Sequence, residues 1–228
     1  RVINTLLEKQ VDGLLFMGGT VTDEHMQAFK TSTVPIVLCG TTDEQEQMPS
    51  VDIDHEKAAY DAVQHLIDNG HVNIGMICGT LQDPAYGYAR FQGYKKALEN
   101  AGIPFREEYV RVGNYRYESG FEMTKHFLGL PERPTAIFAA TDEMAIGVIH
   151  AIQDHGLKVP DDISVISVDN SRMASMVRPQ LTSVAQPMYD IGAVSMRLLT
   201  KLMNKETVEM SKVTLPHEII RRKSVAQA

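Results

Sequence analysis

Three charged residues recur at helical spacing between Pro187 and Glu206, and their side chains could bind an anion. Asp190, Arg197 and Lys201 follow one another at offsets of seven and four residues, so a helix would bring them to similar angles. A helix that presents one carboxylate and two adjacent cations offers a docking surface for a partner that carries an anion. The alternative is a solvated helix face with ordinary charges.

Signatures of known enzyme classes are missing from the sequence. It has no GxSxG nucleophile elbow, no P-loop and no dinucleotide glycine fingerprint, and its eight His residues form no HExxH pair. We therefore expect no catalytic residues, no metal site and no enzyme activity.

Composition and net charge limit the classes of protein to which this chain can belong. A chain of 228 residues can bury a full core, and its net charge of −7 argues against a duplex-DNA surface on this segment. The two cysteines, Cys39 and Cys78, have a spacing that fits neither a zinc site nor a disulfide framework, so we expect buried thiols in a reducing cytoplasm. No run reaches the roughly 18 apolar residues of a membrane span.

Short apolar runs and helix patterns alternate along the chain, and these elements must position the charged groups. Such alternation, with runs that are apolar throughout, predicts an α/β fold in which helices cover a parallel sheet. We expect strands at residues 11–17, 34–39, 51–53, 74–78, 109–112, 136–139, 164–168 and 181–184. Helices should span 2–9, 22–30, 55–69 with Asp54 as its cap, 84–101 with Asp83 as its cap, 118–128 and 142–156, with a long one after Pro187.

The long helix should be amphipathic. At 3.6 residues per turn its apolar positions form one stripe, opposite the charged face. The stripe comprises Ile191, Val194, Leu198, Leu199 and Leu202.

Two segments, Gln180 to Glu206 and Pro134 to Asn170, closely resemble the lac/gal repressor family. Within the family they are most similar to the branch that governs carbon catabolite control in Gram-positive bacteria, and the resemblance runs through the whole chain. It implies two doubly wound, periplasmic-binding-protein-like subdomains between which the chain crosses three times. The N-subdomain would comprise residues 1–53 plus 184–215, and the C-subdomain 54–183 plus 216–228.

Members of this family carry a helix-turn-helix domain, a hinge helix and a first strand-helix-strand unit ahead of the matching point. The resemblance therefore implies that the N-subdomain is incomplete. It also implies that operator DNA is bound by a domain absent from this chain. A sheet without its leading strands should expose an edge.

The resemblance further implies an effector site between the subdomains, formed by Arg90, Tyr115, Thr141 and Asp169. The expected ligand is a small polyol or a sugar phosphate that acts as a corepressor, and no other cofactor is implied. Arg90 would bind hydroxyls or phosphate, Tyr115 would stack on the ligand, and Asp169 would accept hydrogen bonds. Structural alternatives are a surface arginine, a packing tyrosine and a turn-forming aspartate, and Asp142 next to Thr141 should cap a helix first.

In the catabolite-control branch the core binds the phosphocarrier protein HPr once HPr is phosphorylated on serine. The resemblance assigns the phosphoserine to Arg197 and Lys201, and the neighbouring HPr residues to Tyr189 and Asp190. The chain is thus expected to be the core of a transcriptional repressor that responds to this partner.

A homodimer is also implied by the resemblance. Its interface candidates are Ile146 on the helix after Asp142, and Met176 and Val177 after Asp169. For Met176 a filler role in the core is the alternative.

Two functions from other classes use similar folds. A sugar-binding protein of a transport system shares the two-part architecture, and a hydrolase could be built on a doubly wound sheet. The repressor-like run RPQLTSVAQP and the cytosol-type cysteines favour a regulator over the transport protein. The missing nucleophile motif disfavours the hydrolase.

Overall fold

The computed structural model describes residues 2–43, 45, 47–208 and 211–228, without the side chains of Asn4 and Leu7. Strands and helices alternate, as the apolar runs predicted. The helices are α1 Val2–Glu8, α2 Asp23–Lys30, α3 His55–Asp68, α4 Ala89–Asn100, α5 Tyr117–Leu128, α6 Asp142–Asp154, α7 Arg172–Met176 and α8 Met188–Met203. The strands are β1 Leu14–Met17, β2 Ile36–Cys39, β3 Ser50–Ile53, β4 Ile74–Cys78, β5 Val110–Val112, β6 Ala136–Ala139, β7 Ser164–Asp169, β8 Thr182–Ala185, β9 Lys212–Leu215 and β10 Glu218–Ile220.

The chain folds into two compact units that are not contiguous in sequence. The first contains the residues up to Asp54 together with Pro187–Pro216, and the second contains His55–Gln186 and His217–Ala228. The resemblance placed the second crossing at residue 184. In the structure it follows Gln186, because β8 stays hydrogen-bonded to β7 within the second unit.

The first unit has a parallel sheet in the order β1-β2-β3-β9. Helix α8 packs on this sheet through the stripe that the sequence predicted, with Ile191, Leu198 and Leu199 buried. Burying a side chain of this size contributes roughly 1.5–3 kcal/mol, so the stripe fixes which face of α8 meets solvent. β1 is an edge strand of the described sheet, and Met17 at its end is 68% exposed.

The second unit has a sheet in the order β10-β8-β7-β6-β4-β5, parallel except for β10. Helices α3 and α4 pack against each other, as do α5 and α6. The core under α6 includes Ile137, Val165, Met144 and Val148, all fully buried. These two parallel-dominated sheets with their helices confirm the predicted α/β class.

Some element boundaries differ from the sequence patterns. The first strand begins at Leu14 rather than at residue 11. The helix expected from residue 84 is divided into a π-helical turn, Pro84–Tyr88, and α4. Within the described residues we find no helix with the length and apolar character needed to cross a membrane.

Candidate ligand and partner sites

The carboxyl ends of β4, β6, β7 and β8 lie side by side in the second unit. The register pairs Met76 with Phe138, Phe138 with Ile166, and Asp169 with Ala185. Loops that follow parallel strands meet at this edge of a sheet, which is the usual place for a ligand in such folds. Most of the predicted effector residues converge here.

Arg90 reaches this edge from α4 and is only 2% exposed. One guanidinium nitrogen, Nη1, donates to the carbonyl of Ala140, and Nη2 lies 3.2 Å from His55 Nδ1 and 3.9 Å from Asp169 Oδ1. Its Nε atom is buried and has no hydrogen-bond partner among the described residues. The interpretation of Arg90 as a surface arginine is therefore wrong, because its charge is held inside the edge of the sheet.

Asp169 ends β7 with a positive φ of 123°, which a non-glycine residue rarely adopts. Its carboxylate accepts hydrogen bonds from Gln186 Nε2 at 2.8 Å and from the backbone N–H of Asp142 at 3.4 Å. Burial raises the pKa of Asp169 to about 6, and the charge of Asp142 adds to this, while Arg90 opposes it. A strained backbone and a desolvated carboxylate at one position mark a candidate functional site.

Asp142 is a buried hydrogen-bond acceptor, not the cap of α6. Its Oδ1 accepts from the hydroxyls of Ser167 and Ser183, both at 2.6 Å, and its Oδ2 accepts from the backbone N–H of Ser171. The predicted cap is thus corrected to Thr141, whose extended backbone lets its hydroxyl accept the N–H of Met144 at 3.3 Å. The structure assigns Thr141 this helix-capping bond.

Tyr115 is held firmly beside the same edge. It has a φ of 68°, and its hydroxyl donates to Asp83 Oδ2 at 3.0 Å. Burial and the charge of Asp83 raise the pKa of Tyr115 above its ordinary value. Its ring lies directly over the backbone of Gly79, where a Cβ atom would overlap it, so this position needs glycine. This packing agrees with the structural interpretation of Tyr115.

A different aromatic residue lies against Arg90. The ring centroid of Tyr86 is 5.7 Å from Arg90 Cζ and 4.7 Å from the ring of His55. No sequence pattern predicted Tyr86, His55 or Gln186 as members of this group. Their contacts join segments far apart in the chain, and a π-helical turn that no sequence pattern announced positions Tyr86.

The side chains around Arg90 offer both hydrogen-bond donors and hydrogen-bond acceptors to a polar ligand. Arg90 supplies donors and Asp169 supplies acceptor oxygens, while Tyr86 adds an aromatic surface. Hydroxyl-rich or phosphorylated small molecules need this combination.

The charged face of α8 belongs to the first unit and is open to solvent. Tyr189 is 86% exposed, and Asp190, Arg197 and Lys201 are also exposed. In the described part of the chain neither cation forms a hydrogen bond or ion pair through its side chain. Lys201 lies in the last helical turn, where the helix dipole also favours a cation. The structure thus leaves both cations available to an anion.

The three dimer candidates differ in exposure. Met176 is 63% exposed at the end of α7, so the filler alternative for this residue is wrong. Ile146 is partly buried on α6, and Val177 packs, partly buried, against the core of the second unit.

The chain is similar to periplasmic-binding-protein-like domains and to bacterial transcription regulators. Residues 63–225 match the family described as periplasmic binding protein-like domain. Catabolite control protein A of Priestia megaterium is 56% identical over 98% of this chain and 67% of its own length. The chain thus spans about two thirds of the length of that relative.

Two solved structures share the fold. The transcription regulator CcpA of Lactococcus lactis superposes with a TM-score of 0.92 at 43% identity, covering 98% of this chain and 82% of that protein. A complex of the transcriptional regulator CelR with cellobiose superposes with a TM-score of 0.91 at 33% identity, covering 98% of this chain and 69% of that one.

Proposed function

This chain belongs to the LacI family of transcription regulators, and on that premise we propose that it is the core of a carbon catabolite regulator that binds seryl-phosphorylated HPr through α8. Its relatives regulate transcription and are not enzymes, as the missing catalytic motifs predicted. The same relatives set aside the alternatives of a transport protein and a hydrolase.

The observation that carries this proposal is the face of α8. Arg197 and Lys201 lie one turn apart, exposed, on a helix whose opposite side is buried in the first unit. A phosphoserine carries roughly −1.5 to −2 charges and three acceptor oxygens, which two cations at this spacing can bind together. Tyr189 and Asp190, in the first turn, would contact the residues next to the phosphoserine.

A small ligand would bind in addition at the sheet edge of the second unit. We assign it to Arg90 and Asp169, with Tyr86 in the stacking role that the resemblance implied for Tyr115. A sugar or a sugar phosphate fits this chemistry, and the similar CelR structure contains cellobiose. Thr141 and Tyr115 would support the site through the cap of α6 and the bond to Asp83.

The remaining parts of the proposal concern the whole protein. It would act in the cytoplasm as a homodimer that uses Ile146, Met176 and Val177, and bind operator DNA through a domain outside this chain. Met176 supports the dimer, because a thioether that is 63% exposed offers apolar surface to a partner.

Calorimetry with two forms of HPr tests the central proposal. The protein is titrated with HPr phosphorylated on serine and, separately, with unphosphorylated HPr. We expect clear binding of the phosphorylated form and much weaker binding of the other, because only the phosphate engages both cations. Equal affinity for the two forms would contradict the proposal.

A further inference from the structure

A surface cavity of about 360 Å³ lies in the second unit, and none of the residues assigned above lines it. Its polar lining comes from the end of α3, the start of β8 and the segment after β10. His65, Asp68, Thr182, Arg221 and Arg222 supply most of the polar atoms.

The segment after β10 brings a concentration of positive charge to this cavity. Arg221, Arg222 and Lys223 form the only run of three consecutive basic residues in a chain with a net charge of −7. The side chain of Arg221 is exposed, and it has no hydrogen bond or ion pair in the part of the chain that the structure describes. A guanidinium in this position can bind an anion without first breaking an internal contact.

Arg222 is anchored, yet it keeps donors for a ligand. Its Nη1 donates to the carbonyl of Leu181 at 2.7 Å and its Nη2 to Asn170 Oδ1 at 2.6 Å. Its backbone N–H donates to Thr182 Oγ1 at 2.9 Å. A guanidinium has five N–H donors, so three remain beyond these two side-chain bonds. The side chain of Arg222 is thus fixed in position while some of its guanidinium N–H groups remain available to a ligand.

His65 completes the set from α3. Its ring forms no hydrogen bond within the described residues. Burial lowers the pKa of His65 and the nearby charge of Arg221 lowers it further, while Asp68 opposes both. Asp68 also accepts a hydrogen bond from Gln64 at 2.8 Å. Two arginines and an imidazole therefore share one cavity with one carboxylate.

We propose that this cavity binds the phosphate group of a small metabolite, with Arg221, Arg222 and His65 as its donors. Planar guanidinium groups match the spacing of phosphate oxygens, and the protonated imidazole adds a further N–H donor. The volume exceeds that of a phosphate ion, so the rest of a small molecule can occupy it. The cavity shares no lining residue with the Arg90 site, and phosphate binding here does not depend on the proposed binding of phosphoserine by α8.

Nuclear magnetic resonance of the His65 ring tests this site directly, with inorganic phosphate as the probe. Phosphate is added at constant ionic strength, balanced with chloride, and the ring signal is assigned with His65→Gln. We expect a saturable shift of this signal and a higher pKa of His65 at saturation, because a bound anion stabilises the imidazolium. Affinity should therefore increase as the pH falls through the pKa of His65, with burial and Arg221 opposing protonation and Asp68 favouring it.

Arg221→Ala should weaken the binding of phosphate about tenfold, because it removes a charge-assisted hydrogen bond. Its fold should persist, since the side chain is exposed. Arg133→Ala, which removes an exposed arginine before β6, is the matched control and should bind phosphate like the parent. A His65 signal that does not saturate with phosphate, or equal affinity of Arg221→Ala and the parent, would overturn the proposal.

Discussion

Asp169 and Arg90 are the residues in which strain, burial and charge coincide. Asp169 combines a φ of 123° with a pKa raised to about 6, and it lies 3.9 Å from the guanidinium of Arg90. Its proton is bound more tightly in the folded protein than in the unfolded chain, whose ordinary value is 3.8. The ionised carboxylate therefore costs folding free energy, and this cost develops as the pH rises from about 4 to about 6.

Asp169→Asn should remove this pH-dependent cost. The amide keeps an acceptor oxygen for Gln186 and tolerates a positive φ, so the fold should persist. We expect the free energy of unfolding, measured with urea at several pH values, to decrease less between pH 4 and pH 6 than in the parent. Asp190→Asn, on the exposed face of α8, is the control and should reproduce the parent profile. If the free energy of unfolding of Asp169→Asn changes with pH as it does in the parent, Asp169 is not the source of the pH-dependent cost.

Arg90→Ala should weaken the binding of a sugar phosphate by about 1.5–3 kcal/mol, because it removes a charged donor. Calorimetry measures this loss, and thermal unfolding reports how much stability the variant keeps. Tyr88→Phe, on an exposed aromatic of the neighbouring turn, serves as the control. If a folded Arg90→Ala protein binds the sugar phosphate as tightly as the parent, the assignment of the ligand site is wrong.

Family resemblance named Arg90 and Asp169 as candidate ligand-binding residues. The residues that contact them in the fold could not be predicted. Asp169 ends an apolar run, and that pattern places it at a sheet edge. The contacts of His55 and Gln186 depend on which distant segments pack together. Ser167 and Ser183, polar residues inside apolar strands, were the one available signal of a buried acceptor such as Asp142.

At the scale of elements, close helix packing in the second unit depends on glycine. A Cβ atom on Gly147 of α6 would lie 2.3 Å from the carbonyl oxygen of Tyr117, and one on Gly120 of α5 would lie 2.1 Å from that of Met144. Both obstacles are backbone atoms, which cannot move aside as a side-chain end can. The α5–α6 contact therefore requires the absence of side chains at both positions.

Gly147→Ala should lower the free energy of unfolding by about 1–3 kcal/mol, as overpacking typically does. The matched control is Gly192→Ala in α8, where a Cβ atom would meet nothing within 4 Å. That variant should gain up to about 1 kcal/mol from helix propensity. Urea unfolding measures the free energy of unfolding of both variants. A Gly147→Ala protein as stable as the parent would contradict the close packing of α5 on α6.

Amphipathic elements were predictable, and locally distorted ones were not. The stripe of α8 is periodic, so its buried face followed from spacing. The π-helical turn Pro84–Tyr88 has no such period. Its shape depends on Asp83, which accepts the N–H of Tyr86 at 3.3 Å and the hydroxyl of Tyr115 at 3.0 Å.

At the scale of the whole molecule, the two units are discontinuous in sequence. Alternating patterns predict the elements but do not show that Pro187–Pro216 joins the residues up to Asp54. Hydrogen bonds between segments distant in sequence, such as those of β3 with β9, determine which segments form one unit. Family resemblance supplied the discontinuous arrangement that periodicity could not.

The proposed homodimer should be detectable in solution. Sedimentation at micromolar concentration should show a dimer, and Met176→Asp should shift it toward the monomer because a charge would be desolvated at the interface. Met188→Asp, a similar change on the first unit's α8, should leave the dimer intact. A parent protein that sediments as a monomer would contradict the assignment of Met176.

Combining Arg197→Ala with the presence or absence of the phosphate on HPr tests whether α8 recognises the phosphoserine. Calorimetry measures four affinities, those of the parent and the variant for phosphorylated and unphosphorylated HPr. We expect Arg197→Ala to cost about 2–5 kcal/mol with the phosphorylated form, because the loss leaves a desolvated phosphate poorly paired. The cost should be small with the unphosphorylated form, and Arg133→Ala should be silent with both. An Arg197→Ala protein that still prefers phosphorylated HPr as strongly as the parent would contradict the claim that α8 recognises the phosphoserine.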